Sequence, residues 1–140
     1  MKVLNLDHLV ITTADLKRCL YFYGDILGMN IVERNGRYAI FFGNQKFNIH
    51  TKPAEFLPAA EKPTYGSLDI CLVVEEPIDV VKCDIEEKGY PIELGPVARH
   101  GARGDMKSIY LRDPDGNLVE LCHYNLYHFK LRYINRTLFF

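Results

Sequence analysis

Four polar side chains combine types and positions that suit a metal site: His8, His50, Asp69 and Glu120. His8 and Asp69 begin alternating strand patterns, and His50 and Glu120 lie in two later ones, QKFNIH and LVELCH. Two imidazoles and one or two carboxylates form a donor set that divalent transition metals bind, with positions left for water or substrate. The sequence therefore offers a metal site whose donors come from distant parts of the chain.

Strand geometry decides whether these donors share a surface. Residues two apart in a strand share a face, so His8 points away from its neighbours Leu9 and Ile11. Asp69 and Glu120 likewise point away from the apolar residues of their own strands. Each candidate ligand is expected on the face that the neighbouring helix does not cover. The alternative is that each is an isolated polar residue, hydrogen-bonded at a strand end.

The elements that carry these residues repeat along the chain. The distance from His8 to Gly28, which ends the first helical pattern, is 20 positions, and so is the distance from Asp69 to Gly89, which ends the second. After each glycine come an extended segment and two β-rich runs joined by a turn, RYAIFF with QKFNIH and KSIYLR with LVELCH. We predict an α+β fold in which two βαβββ repeats, 3–51 and 66–124, form a curved mixed sheet around a metal-site cavity.

The repeats predict one domain over residues 1–124, followed by a C-terminal extension over 125–140. A chain of 140 residues is the right size for a single domain. The connecting segment KPAEFLPAAEKPTYG holds three of the seven prolines and is expected to be an ordered linker. The second repeat is longer than the first, and its surplus is expected to form a Gly-rich basic loop, GPVARHGARGD.

Composition narrows the classes of partner. Lys and Arg total 17 against 18 Asp and Glu, so nothing in the net charge favours nucleic acid or an anionic membrane. No apolar run approaches the roughly 20 residues of a membrane-spanning helix. The four cysteines are widely spaced and the N-terminus lacks an apolar signal core, which indicates a cytoplasmic protein with free thiols. A small-molecule substrate is the expected partner.

Two motifs resemble a known superfamily. LDHLVITTADLKRCLYFYGDILGM is similar to the opening strand and helix of the vicinal-oxygen-chelate proteins, which include glyoxalases, bleomycin- and fosfomycin-resistance proteins and extradiol dioxygenases. IYLRDPDGNLVEL resembles their closing hairpin, and the likeness extends over residues 3–124. The spacing of FNIH, GSLDICLVV and GARGDMKSIYLRDPDGNLVEL is most similar to a subgroup of glyoxalase domain-containing and virulence-associated proteins.

The resemblance implies a ligand from each of the first, fourth, fifth and eighth strands, namely His8, His50, Asp69 and Glu120. Relatives carry His where this chain has Asp69, so Asp69 is either a direct ligand or an outer-sphere group that holds a metal-bound water or orients an imidazole.

A second set of residues is expected to hold the substrate. Fosfomycin-resistance proteins, which the closing motif resembles, use hydroxyls and basic groups to hold a phosphonate, and this implies a similar role for Ser108 and Tyr110. Arg99 and Arg103 offer guanidinium groups to an anionic substrate, unless they belong to a solvated loop.

Taken together, these features predict a metal-dependent enzyme that acts on a small oxygen-rich molecule. The metal, which is Zn, Ni, Mn or Fe, would act as a Lewis acid in lyase, isomerase or thiol- or water-addition chemistry. Glu120 or Asp69 would serve as general base. An Fe(II) dioxygenase is the alternative enzyme, and a sequestering protein like those of bleomycin resistance is the non-catalytic alternative. A homodimer is expected, because each half forms an open sheet and the resemblance implies pairing between subunits.

Overall fold

The helices and strands follow the two predicted repeats. A computed structural model describes residues 1–125, so most of the predicted C-terminal extension lies outside the described residues. The first repeat contains β1 (His8–Thr12), α1 (Leu16–Leu20) with its π-helical continuation (Tyr21–Ile26), β2 (Asn30–Arg34), β3 (Arg37–Phe42) and β4 (Gln45–His50). The second contains β5 (Asp69–Val73), α2 (Ile78–Glu87), β6 (Leu94–Gly101), β7 (Gly104–Arg112) and β8 (Leu118–Tyr124). The βαβββ prediction is confirmed. Neither helix in residues 1–125 is long and apolar enough to cross a bilayer.

Each repeat forms its own four-stranded mixed sheet. Sheet A has the strand order β1-β4-β3-β2, and sheet B has the order β5-β8-β7-β6. The first and last strands of each repeat pair in parallel, and the other pairs are antiparallel. A parallel pair needs a crossover, which the helix and the intervening strands of each repeat provide.

One apolar core lies against the helix-facing side of both sheets. The inward residues of the strands pack with the helical aromatic and aliphatic side chains, and Phe22 and Tyr23 are fully buried there. The core residues of the strands are Ile11, Ile40, Phe47, Ile49, Ile109, Leu111, Val119 and Leu121. All of them except Ile40 occupy odd-numbered positions of β1, β4, β7 and β8, as period-two alternation requires. The opposite face of each sheet does not take part in this core.

The Gly-rich basic segment of the second repeat is a hairpin, and the prediction of a loop was wrong. β6 and β7 pair antiparallel over most of this segment, with Arg99 opposite Met106 and His100 opposite Asp105. The register shifts between Leu94 and Val97, where Gly95 and Pro96 lie. A bulge tolerates glycine and proline within a strand, so composition alone concealed the pairing.

The DPDGN turn joins the two halves. The buried hydroxyl of Tyr23, from the first repeat, donates to Oδ2 of Asp113 at 2.8 Å. Asn117 donates to the same oxygen from its side chain at 2.8 Å and accepts a bond from the backbone N–H of Leu68 at 2.9 Å. The turn thus connects the first helix, the interrepeat segment and the closing hairpin through buried hydrogen bonds.

Candidate metal centre and binding face

Each sheet has an open face that no described helix covers, and all four predicted ligands lie on these faces. His8 and His50 lie on sheet A, and Asp69 and Glu120 lie on sheet B. Exposed apolar side chains accompany them: Val10, Val32 and Phe41 on sheet A, with Val73 and Leu94 on sheet B.

One copy of the chain does not bring the four ligands together. Within residues 1–125, no group of three His, Cys, Asp or Glu side chains is placed to hold a metal ion. Each sheet instead carries two of the four predicted ligands, the imidazoles on sheet A and the carboxylates on sheet B. The predicted common cavity is therefore not formed by a single chain.

The register of the strand pairs shows which residues occupy corresponding positions in the two sheets. Val10 is level with Asn48 in sheet A, and Cys71, at the corresponding position of β5, is level with Glu120 in sheet B. Asn48 is therefore the structural counterpart of Glu120. His50 lies two residues further along the same face of β4.

Asn48 was missed because the sequence analysis paired His50 with Glu120 by their places in the last strand of each repeat. A better signal was present: Phe47 and Ile49 bracket Asn48 as Val119 and Leu121 bracket Glu120, and all four apolar residues are buried. The amide oxygen of Asn48 is a neutral donor that a hard divalent cation accepts.

His8 is oriented by its neighbour. Oδ1 of Asp7 lies 2.6 Å from Nδ1 of His8, which makes Nδ1 the protonated ring nitrogen. The lone pair of Nε2 is then free to bind a metal, and such carboxylate–imidazole pairs commonly support metal-binding histidines.

Glu120 carries an unsatisfied buried oxygen. Its Oε1 is buried and has no hydrogen-bond partner among the described residues. Burial raises the pKa of the adjacent Cys71 thiol, with further contributions from Cys122 and the Glu120 carboxylate. Burial is also the main cause of the raised pKa of Tyr110, which Arg99 opposes and Glu120 reinforces. A buried carboxylate oxygen without a partner is unfavourable by about 1–3 kcal/mol or more, so Glu120 is suited to bind a cation.

Asp69 begins β5 on the same open face as Glu120. It is exposed and lies opposite Leu118, one step along the face from the pair of Cys71 and Glu120. Hydrogen bonds from the Arg112 guanidinium to Glu93, at 2.7 and 3.1 Å, are the main cause of the raised pKa of Arg112, and the charge of Asp69 adds a smaller contribution. Asp69 is thus free to face a partner outside its own sheet.

The predicted substrate-binding residues divide into exposed and buried groups. Nε of Arg99 donates to the Tyr110 hydroxyl at 2.9 Å, so two of the predicted residues are hydrogen-bonded to each other. Tyr110 lies opposite Glu120 in sheet B. The Arg103 guanidinium lies 5.9 Å from the ring centroid of Tyr124. Ser108 is fully buried, and its hydroxyl has no partner in the described part of the chain.

Comparison with known proteins establishes the family. The sequence model of the Glyoxalase/Bleomycin resistance protein/Dioxygenase superfamily matches residues 5–121. The chain belongs to this superfamily. It is 45% identical over 120 residues to Virulence protein STM3117 of Salmonella typhimurium, covering 85% of this chain and 83% of that protein. The crystal structure of that protein aligns with a TM-score of 0.85 over 89% of this chain and 99% of the other.

Two further relatives agree. The Glyoxalase domain-containing protein RDO1 of Mycosarcoma maydis is 46% identical over 125 residues, covering 89% of this chain and 70% of RDO1. An integron cassette protein from the mobile metagenome of V. cholerae is 43% identical, with a TM-score of 0.85 over 89% of this chain and 98% of the other. The predicted superfamily and its virulence-associated subgroup are confirmed.

This glyoxalase superfamily member also has a pocket of about 730 Å³ on the open face of sheet A. Asn48 lies in it, with Arg34, Arg37, His50 and Phe56 at one end. The positive φ angles of Asn35 and Gly36, 53° and 75°, make a tight hairpin turn that puts Arg34 directly opposite Arg37. Sequence reasoning missed these arginines, although the dipeptide NG between them marks the turn.

Proposed function

We propose that this superfamily member is a divalent-metal-dependent enzyme that acts on a small molecule with adjacent oxygen atoms. The observation that carries the proposal is the buried, unpartnered Oε1 of Glu120. A cation would satisfy this oxygen, whereas the neutral thiol and phenol beside it do not compensate its charge.

The ligands in this proposal are His8 and Glu120, joined by Asp69 and by a donor from β4. His8 is held by Asp7 with its Nε2 free, and Asn48 occupies the strand position that corresponds to Glu120. His50 is the other β4 candidate. Zn, Ni, Mn or Fe(II) fits this nitrogen and oxygen donor set. A bound metal of this kind would polarise substrate oxygens as a Lewis acid. A carboxylate released when substrate binds, Glu120 or Asp69, would act as general base.

We further propose that two copies assemble the site, with sheet A of one facing sheet B of the other. Val10, Phe41 and Val73 lie on the open faces with 40%, 41% and 56% of their surfaces exposed. Exposed apolar residues that surround polar donors are typical of an interface. In a twofold dimer each face meets one face of the other kind, so the contact between sheet A and sheet B occurs twice and makes two equal sites.

Metal analysis of chelator-treated and reloaded protein tests the ligand set. His8→Ala and Glu120→Ala should each weaken metal affinity at least about tenfold. Asn48→Ala and His50→Ala, measured in parallel, identify the β4 donor. His123→Ala is the matched control, because His123 lies on the opposite face of β8 and its ring faces the Val74 carbonyl at 3.4 Å. Wild-type affinity in both His8→Ala and Glu120→Ala would sink the proposal.

Mixing two defective variants tests the assembly. His8→Ala and Glu120→Ala homodimers each lack one ligand in both sites, but a mixed dimer has one intact site. After subunit exchange, about one quarter of all sites should regain tight metal binding. Sedimentation of the mixture shows whether dimers are present. Dimers that exchange subunits without any recovery would overturn the proposal that two copies assemble the site.

A second candidate function is non-catalytic binding of a small molecule. The open pocket on sheet A, with aromatic and cationic residues, favours this function. The two functions differ in metal dependence: a sequestering protein shows no metal binding and no thermal shift with Zn, Ni, Mn or Fe(II). Oxygen consumption with Fe(II) would identify the dioxygenase alternative.

A further inference from the structure

The pocket on sheet A ends in a cationic corner made of Arg34, Arg37, His50 and Phe56. Arg34 and Arg37 are directly opposite each other across β2 and β3, and both are exposed. Like charges in this arrangement repel each other. An anion that binds between the two guanidinium groups would therefore stabilise the folded protein.

No carboxylate in the described part of the chain supplies that neutralisation. Within residues 1–125 neither arginine forms an ion pair. The nearby acidic groups are engaged elsewhere: Glu33 accepts from the backbone N–H of Gly36, and Glu55 accepts from the backbone and side chain of Thr51.

The guanidinium of Arg37 is already fixed in position. Its Cζ lies 3.8 Å from the centroid of the Phe56 ring, and that ring contacts the His50 imidazole at 5.1 Å between centroids. Stacking holds a guanidinium flat and leaves its edge N–H groups free to donate in a fork. This is the geometry that carboxylate and phosphate oxygens accept.

We propose that this corner binds the oxyanion group, carboxylate or phosphate, of the substrate. Asn48 lies two residues from His50 along β4 and one strand from β3. These spacings put the corner roughly 8 to 9 Å from Asn48. With Asn48 as the ligand from β4, the substrate is a small molecule whose anionic group is separated by about that distance from the oxygens that reach the metal ligands. As a statement about the substrate, the inference rests on the proposed function.

Calorimetric titration of metal-free wild-type protein with phenyl phosphate, phenylacetate and 2-phenylethanol tests the corner. The two anions should bind more tightly than the neutral alcohol, and their order tells phosphate from carboxylate. Arg34→Gln and Arg37→Gln should each weaken anion binding at least about tenfold, while leaving the weak binding of 2-phenylethanol unchanged. Arg37→Lys should fall between, because it keeps the charge but loses the stacked fork. Arg18→Gln is the matched control, since Arg18 is exposed on α1 and does not line the pocket.

Three results would overturn the inference. One is the absence of anion binding to wild type at about 10 mM. Another is equal affinity in wild type and both glutamine variants. The third is a dimer that dissociates in Arg37→Gln with unchanged probe affinity, which would make the arginines interface residues. Repeating the titrations with His8→Ala separates the two proposals, because the anion corner should survive even where metal binding is lost or was never present.

Discussion

Replacing Tyr23 with Phe should measure how strongly the DPDGN turn holds the two halves together. Tyr23 is fully buried and donates to Asp113 at 2.8 Å. A hydrogen bond to a charged group contributes about 1.5–3 kcal/mol. Asp113 would still accept from the Asn117 side chain and from the backbone N–H groups of Asp115 and Asn117. The carboxylate therefore stays bonded, and we expect a loss of about 1.5–2 kcal/mol in the free energy of unfolding.

Urea denaturation followed by circular dichroism gives this quantity, and thermal unfolding should show a Tm lower by roughly 5–10 °C. Tyr21→Phe is the matched control, since Tyr21 is 51% exposed on the same helical segment. Burial and the charge of Asp113 raise the pKa of Tyr23, so its phenol stays protonated in the folded state. Wild type should accordingly lose stability above about pH 10, and Tyr23→Phe should lose less. A Tyr23→Phe protein as stable as Tyr21→Phe would refute the reasoning.

Three further predictions concern stability. Burial raises the pKa of Cys19 from 9.0 to about 12. The stability that comes from burying the neutral thiol is therefore fully present below pH 9 and is lost as pH rises towards 12. This loss lowers the free energy of unfolding by up to about 4 kcal/mol. Cys19→Ala should therefore flatten the alkaline fall in unfolding free energy, and an unchanged slope would contradict this. Phe47, 1% exposed and packed against the rings of Tyr23 and Phe42, should lose about 3–5 kcal/mol when changed to Ala; less than 1 kcal/mol in urea denaturation would speak against it. Asp15→Ala should lower the unfolding free energy by about 0.5–2 kcal/mol by removing the cap at the backbone N–H of Arg18, whereas Asp15→Asn, which keeps a cap, should lose less.

The sequence predicted the fold well where periodicity and turns agreed. Alternation assigned His8 and Glu120 to faces away from the core, and the structure confirms this placement. The glycines after each helix gave the repeat, because chain reversal there needs positive φ, found at Gly28 and Gly89 at 71° and 75°. Local signals of this kind require no knowledge of distant contacts.

The site was harder to predict, because it depends on register between strands far apart in sequence. The two-residue turn before β4 and the longer DPDGN turn before β8 shift the last strands differently, so counting residues matched His50 with Glu120 and overlooked Asn48. The arginine pair depends on the register of β2 with β3, which places Arg34 opposite Arg37. The longer β6–β7 hairpin of the second repeat, which carries Arg99, was concealed by its glycines and proline.

The separation of the core from the open faces also bears on how such proteins diversify. The helix-facing residues determine folding, while Asn48, Arg37 and Asp69 lie on surfaces that contribute little to the core. Substitutions on exposed surfaces usually change stability by no more than about 0.5 kcal/mol. A lineage, or a designed library, can therefore exchange residues on these faces many times while the same scaffold continues to fold.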